Sequence, residues 1–285
     1  RWGPPSTLQS FEDIEMSEGD IPFAQKVDPF NTGFMPFTPP VVEEPQWQIS
    51  GDDCQVVTVM LKPEEELKTE PGAMMFMSPS VDTDVECGCI DGCGRMCAGE
   101  PFVKVSLKNG GGDAAYVGLT PNFPAKVVPI ELSQMDNFVA KAGAIMSSIG
   151  DVNILSSVSC DLPSCFTTLG CCRQKLEGEG TAFLAAGGTI LVKELKDGEK
   201  LVVDSESVVG YQDTIKFGVW PNQLCTCCCG GEGMCNATME GPGTVVVQSM
   251  SFNKYKKVVA PPPGAYKMRE RMGVGFGGDM ELNFD

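Results

Sequence analysis

No histidine occurs anywhere in the 285 residues, and that single absence removes a large share of enzyme chemistry. Histidine general bases, Ser-His and Cys-His nucleophile pairs and histidine metal ligands all go with it. Catalysis would have to rest on carboxylates, Lys, Tyr or Cys alone, so the expectation is a non-enzymatic protein. Positive charge is scarce as well: 21 Lys and Arg stand against 38 Asp and Glu, a net charge of −17. A surface that grips phosphates needs clustered Lys and Arg, so no nucleic-acid partner is expected. No apolar run approaches the ~18 residues of a membrane-crossing helix, so no transmembrane segment is expected.

Glycine and short β-branched runs are what the chain has instead. With 33 Gly, 21 Pro and 42% apolar residues, it reads as globular, with many short strands and turns. The length suits one large β domain or two smaller ones. The stretch Gly178–Gly210, GEGTAFLAAGGTILVKELKDGEKLVVDSESVVG, sets the pattern. Thr181–Ala186 and Thr189–Val192 flank Gly187-Gly188, and Leu201–Val203 follows Asp197-Gly198. Both dipeptides are hairpin signals, so the stretch is expected to form an antiparallel meander. The chain opens on Arg1 rather than Met, as expected of a mature protein whose targeting peptide has been removed.

Residues 1–47 differ from the rest. They hold eight prolines, eight acids against Arg1 and Lys26, and the aromatics Trp2, Phe11, Phe23, Phe30, Phe34, Phe37 and Trp47. Proline at this density forbids regular helix or central strand and favours extended backbone. The aromatics distinguish the segment from an ordinary disordered tail. It reads as an extended arm that docks its aromatics into pockets, on a partner protein or on its own β domain.

From residue 48 the pattern is β and repeats. An offset of 71 carries Leu61 to Leu132, Leu67 to Phe138, Gly72 to Gly143, Met74 to Ile145 and Met75 to Met146. An offset of 63 carries Leu132 to Leu195, Phe138 to Leu201, Ile145 to Val208 and Met146 to Val209. Each unit reads as strand, turn, strand, strand, Cys-containing loop, strand, Gly turn, strand. Units of this size cannot close a core alone, but three around a common axis can. The fold expected is all-β: three repeats (about 56–120, 127–189 and 190–250) forming a pseudo-threefold barrel or prism over residues 48–258. A basic, then Gly-rich tail spans 259–285. Lys254–Arg271 carries six basic residues and one acid, which reads as a solvated strand end and turn or as a contact with acidic headgroups or an acidic neighbour.

The segments EPGAMMFMSPSV (Glu70–Val81), TAFLAAGGTI (Thr181–Ile190), DGEKLVVDSESVVGYQDTIKF (Asp197–Phe217) and GPGTVVVQS (Gly241–Ser249) resemble the mitochondrial biogenesis family "altered inheritance of mitochondria, twenty-four" and its bacterial and archaeal relatives. The resemblance covers roughly Val56–Met250, in matching order. It implies three β repeats around a pseudo-threefold axis, similar to the tryptophan-RNA-binding attenuation protein. It brings no catalytic residues. It implies a scaffold or accessory subunit that docks on the protein subunits of an organellar membrane complex, respiratory or photosynthetic, in a mitochondrion or chloroplast. Peripheral contact with the membrane itself is open.

Two features depart from that family: the terminal arms, and the cysteines in loops that relatives fill with glycine and apolar residues. Thirteen of 14 cysteines fall in the corresponding loop of the three units, and Cys54 stands apart. They are Cys87, Cys89, Cys93 and Cys97; Cys160, Cys165, Cys171 and Cys172; and Cys225, Cys227, Cys228, Cys229 and Cys235. Four readings stay open: stapling disulfides, a thiolate zinc or iron–sulfur site, reduced apolar fillers, and acylation of Cys227-Cys228-Cys229. The metal reading would draw on these cysteines other than Cys227 and Cys229; without it no cofactor is expected. Asp204, Glu206 and Asp213 read as solvated turn residues. Met75 and Met77 read as one strand face and Met74 as the other.

Overall fold

The computed structural model describes residues 32–39, 46–87, 103–135, 137–158, 172–221 and 235–260. The described residues form eighteen strands and one short helix. Two strands precede the main body: β1 (Phe34–Pro36) and β2 (Trp47–Ser50). Six follow within the first expected unit: β3 (Val56–Leu61), β4 (Glu66–Thr69), β5 (Met74–Met77), β6 (Val81–Cys87), β7 (Val103–Asn109) and β8 (Ala115–Leu119). The next stretch has four, β9 (Lys126–Glu131), β10 (Phe138–Lys141), β11 (Ile145–Val158) and β12 (Cys172–Ala186), the last two long enough to serve two neighbours each. The last has β13 (Ile190–Leu195), β14 (Lys200–Val203), β15 (Val208–Gln212), β16 (Lys216–Pro221), β17 (Cys235–Glu240) and β18 (Gly243–Gln248).

Period-2 alternation builds the strands that face the core. In β3, Val57, Val59 and Leu61 are buried while Val56, Thr58 and Met60 turn outward. Three apolar clusters result. One gathers Val57, Leu61, Leu107 and Leu119; a second Phe138, Leu176, Leu184 and Val246; a third Leu195, Val208, Tyr211 and Met239. Each fully buried side chain of this size contributes about 1.5–3 kcal/mol.

Pairing follows one order in all three stretches. The first strand and the third both flank the last: β3 and β5 flank β8, and β13 and β15 flank β18. In the middle stretch β9 and the start of β11 flank the end of β12. The second strand and the strand before the Cys-containing segment flank the one after it: β4 and β6 on β7, β14 and β16 on β17. Again β12 serves, here between β10 and the end of β11. A bulge interrupts each third strand at matching positions, between Met74 and Phe76, Ile145 and Ser147, and Val208 and Gly210.

The sheets do not close into the expected barrel or prism. One sheet runs β1-β13-β18-β15-β10-β12-β11-β4-β7-β6, with β9 also on β12. The others run β2-β3-β8-β5 and β14-β17-β16. Among the described residues all three end on strands with a single partner, β5 and β14 among them.

The expected hairpins in 178–210 are also corrected. Strand β12 pairs with β9, β10 and β11, not with β13. Gly187 and Gly188 serve a close approach instead: a Cβ at Gly187 would stand 2.1 Å from the Met250 carbonyl oxygen. Backbone bonds from Met250 N to Gly187 O (3.1 Å) and from Ser249 N to Thr189 O (3.0 Å) fill that space. Asp197-Gly198 does turn the chain, with Glu199 N donating to Lys196 O at 3.0 Å, but β13 leaves to β18 and β14 to β17. Gly241 N donates to Glu199 O at 3.0 Å, so this corner lies against the corner between β17 and β18, and a two-stranded ribbon changes sheet there as a unit.

Candidate functional site

The segment expected to be a strand end and turn is a helix, α1 (Phe252–Val259), so β structure stops short of residue 258. Ser251 caps it, its hydroxyl accepting from Lys254 N at 3.1 Å, which satisfies one of the free N–H groups of the first turn. Lys256 and Lys257 occupy the last turn, where cations suit the helix dipole. Pro261, which cannot continue the helix, follows Ala260.

Two contacts hold α1 on the β body. Phe252 and Tyr255, three residues apart and so on one face, lie 5.3 and 6.2 Å from the Phe123 ring. On the polar side, Lys254 Nζ is 2.7 Å from Asp204 Oδ2 and donates to Ser207 Oγ at 3.2 Å. Lys257 Nζ is 3.7 Å from Glu206. Asp204 closes its own turn, accepting from Glu206 N and Ser207 Oγ at 3.0 Å each. Beneath the turn, Lys141 Nζ donates to the carbonyls of Ser205 (3.4 Å) and Glu206 (3.2 Å). Burial pushes the Lys141 ammonium down from its usual value, against the pull of Glu206 and Asp204. Burial pushes the Asp204 carboxyl up, but Lys254 and the Glu206 N–H outweigh it, and the carboxyl ends below its ordinary value. Asp204 and Glu206 are therefore the seat of a helix rather than solvated turn residues. Asp213 is paired too, 2.9 Å from Lys175.

Outward, α1 presents Val258 at 74% and Val259 at 57% exposure beside the exposed Lys256 and Lys257, and Phe252 is also half exposed. Exposed valines thus stand beside lysines at the end of a helix, on a chain of net charge −17. Sequence reasoning missed Phe123 and Lys141, whose roles depend on elements far away in the chain; Ser251 as a cap residue was the one local sign of α1 itself.

The predicted docking aromatics divide. Trp47 is buried at 9% exposure and meets Phe183 edge-on at 5.5 Å. Phe37 packs on the second cluster and Phe34 on the third. Lys193 fixes the strand: it donates to the Thr32 carbonyl, lies 2.9 Å from Glu199 and stands 5.3 Å over the Phe34 ring. Trp47 is thus part of the chain's own core, while Phe34 and Phe37 are half-buried against it. Trp2, Phe11, Phe23 and Phe30 lie outside the described residues.

Of the cysteines, Cys54 is exposed and free. Cys87 ends β6, Cys172 opens β12 and Cys235 opens β17, opposite Val103, Val158 and Pro221. Each Cys-containing segment thus joins two antiparallel neighbours. Cys89, Cys93, Cys97, Cys160, Cys165, Cys171, Cys225, Cys227, Cys228 and Cys229 lie outside the described residues. Among the described residues no three His, Cys, Asp or Glu side chains stand together as a metal site. A cavity of about 20 Å³ between Lys68, Met146, Ser147 and Gln174 has room for roughly one water molecule, too little for a substrate. No described helix is long and apolar enough to cross a membrane.

Three comparisons bear on this architecture. The family model described as "Mitochondrial biogenesis AIM24" matches residues 47–250. The crystal structure of a Streptococcus pyogenes protein is similar at a TM-score of 0.59 and 22% identity, covering 75% of this chain and 97% of that one. No curated protein matches.

Proposed function

The chain belongs to the mitochondrial biogenesis AIM24 family, and from that membership we propose that it is a non-enzymatic scaffold or accessory subunit docking peripherally on an organellar membrane complex. The observation that carries the reading is α1: Val258, Val259, Lys256 and Lys257 face outward from a helix that Phe123, Asp204 and Glu206 hold in place. A seated helix with an uncovered apolar strip is a surface for a partner, and the lysines suit an acidic subunit face or anionic headgroups. The family's tie to mitochondrial biogenesis favours a mitochondrial complex, respiratory in kind; a chloroplast complex is the photosynthetic counterpart. The recurring pairing order and the matched bulges support reading residues 56–250 as three repeats about a pseudo-threefold axis, a rigid body suited to holding other subunits.

Purification from solubilised organellar membranes tests the reading. The protein should migrate with a membrane complex, and Val258→Asp with Val259→Asp should release it while leaving its melting temperature within a degree or two. A wild-type protein that migrates free of any complex overturns the proposal.

A second reading, a thiolate metal or redox-active disulfide protein, draws support from one observation: each hairpin bears a cysteine where it enters or leaves its Cys-containing segment, at Cys87, Cys172 and Cys235. Metal analysis with a visible absorption spectrum, plus thiol counts before and after reduction, decides it. Absence of zinc and iron together with an unchanged thiol count removes both forms.

A further inference from the structure

Two strand-to-strand joints tie the three stretches together, and they share one register. In the first, Lys68 and Thr69 of β4 oppose Ser148 and Ser147 of β11. In the second, Val139 and Ala140 of β10 oppose Tyr211 and Gly210 of β15. Adding 71 to the β4 positions and 63 to the β11 positions converts the first set into the second, residue for residue. The offset of 63 likewise carries Gln174 of β12 to Ala237 of β17.

The matched positions have opposite chemistry. At the second joint Val139, Tyr211 and Ala237 belong to the third apolar cluster, and Tyr211 stacks on Phe217 at 6.1 Å. At the first joint the buried side chains are Thr69, Ser147, Ser148 and Gln174. Burying polar groups is costly unless each finds a hydrogen-bond partner. Thr69 has one, its hydroxyl donating to the Met146 carbonyl at 3.2 Å. Ser147 is 2% exposed, and its Oγ has none among the described residues.

These four side chains line the cavity of about 20 Å³, and the partly exposed Lys68, Lys104 and Glu70 line it on the solvent side. The enclosed space takes one oxygen atom and not a whole molecule. A ligand would therefore sink a single oxygen and leave its remainder among the lysines. Two ammonium groups and the hydroxyls of Ser147 and Ser148 outweigh the one carboxylate, on a chain whose acids outnumber its cations 38 to 21. That donor set suits an oxyanion. A water alone would satisfy Ser147, but it gives no reason for a lysine at 68 where the second joint has Val139.

We propose that the first joint is a binding site for a phosphate group, one oxygen accepting from Ser147 Oγ in the cavity and the others facing Lys68 and Lys104. Free phosphate and an anionic phospholipid headgroup share this chemistry. The inference uses no residue of α1, so it stands or falls separately from docking on a membrane complex.

Thermal unfolding of the full chain in rising inorganic phosphate tests it. The melting temperature should climb above that in sodium chloride of equal ionic strength, and should saturate. Lys68→Val, which installs the residue of the second joint, and Ser147→Ala should each weaken binding about tenfold, the loss of one charge-assisted hydrogen bond. Phosphorus NMR line broadening at one fixed temperature reads the same affinities on the folded proteins, so a variant's own stability does not enter. No rise over chloride, or variants that bind phosphate unchanged, overturns the proposal. So does a crystal structure grown in phosphate that shows only a water in the cavity. Co-sedimentation with phosphatidylcholine vesicles containing phosphatidic acid separates the two sources. Capture that Lys68→Val abolishes supports the site with a headgroup as its ligand; phosphate binding without capture supports it with a soluble phosphate.

Discussion

The ring of Phe76 lies over Gly118 on the neighbouring strand, where a Cβ would stand 2.3 Å from the ring's Cζ. The two residues are cross-strand partners. Gly118 is thus a glycine for space and not for backbone conformation, and the aromatic covers it. Gly118→Ala should push the ring outward at a cost of about 1 kcal/mol, the low end for overpacking, because a partly exposed ring can swing. Urea unfolding of Gly118→Ala, Phe76→Ala and the double variant checks this: the double variant should lose less than the sum of the singles.

Trp47→Ala should cost about 3–5 kcal/mol, the range for emptying a large aromatic from a core. Its edge-on packing on Phe183 is lost along with the burial. Thermal unfolding should show the corresponding fall in melting temperature.

Asp204 contributes to the acid limb of stability through its ion pair with Lys254. Its folded carboxyl is held below the ordinary value by Lys254 and the Glu206 N–H, against burial. A depressed carboxyl contributes stability at neutral pH that is lost as pH falls through the folded value. For a partly exposed pair the amount is about 0.5–1 kcal/mol. Asp204→Asn should therefore flatten the fall in urea midpoint between about pH 5 and pH 2.

Lys141 acts at the other end of the scale. Burial lowers the pKa of its folded ammonium, so in the window below the ordinary lysine value the unfolded chain binds more protons than the folded one. Stability from this group should rise with pH as it approaches about 10. Lys141→Met should abolish that slope in denaturation midpoints measured from pH 8 to 10.

Ser251→Ala removes the cap of α1 and should cost about 1 kcal/mol, chiefly in the helix. Amide exchange at Lys254 and Tyr255 should quicken several-fold, while amides of β18 hold their rates.

The sequence carried the strands plainly and their neighbours poorly. The apolar, β-branched run Val56–Leu61 reads as a strand as written, but with five of six residues apolar the face it buries shows only in the structure. The offsets that matched Met75 with Met146 and Val209 land on the bulged residue of each third strand, an irregularity no propensity announces. The bulge also undoes the simple face assignment of the methionines: Met74, Met75 and Phe76 are all exposed, and Met77 packs on the core. Gly187-Gly188 and Asp197-Gly198 misled because a turn signal says that the chain bends, not which strand it meets next. Asp204 and Glu206 read as solvated because their cation, on α1, stands some fifty residues on in the chain. Trp47 belongs with the strands it begins and not with the proline-rich arm before it.

The pairing of first strand with last has a consequence for how the protein is made. Val57 has Ile49 and Leu191 has Pro36 on one side from the start, but roughly sixty residues must emerge before Leu119 and Val247 arrive on the other. During vectorial synthesis the hairpins β6–β7 and β16–β17 can register as they emerge, but the first and third strands of their stretches lack their shared neighbour until the final strand appears. Only then can the whole unit settle at once. Completion of each stretch is thus set by emergence of its last strand rather than by the turns between.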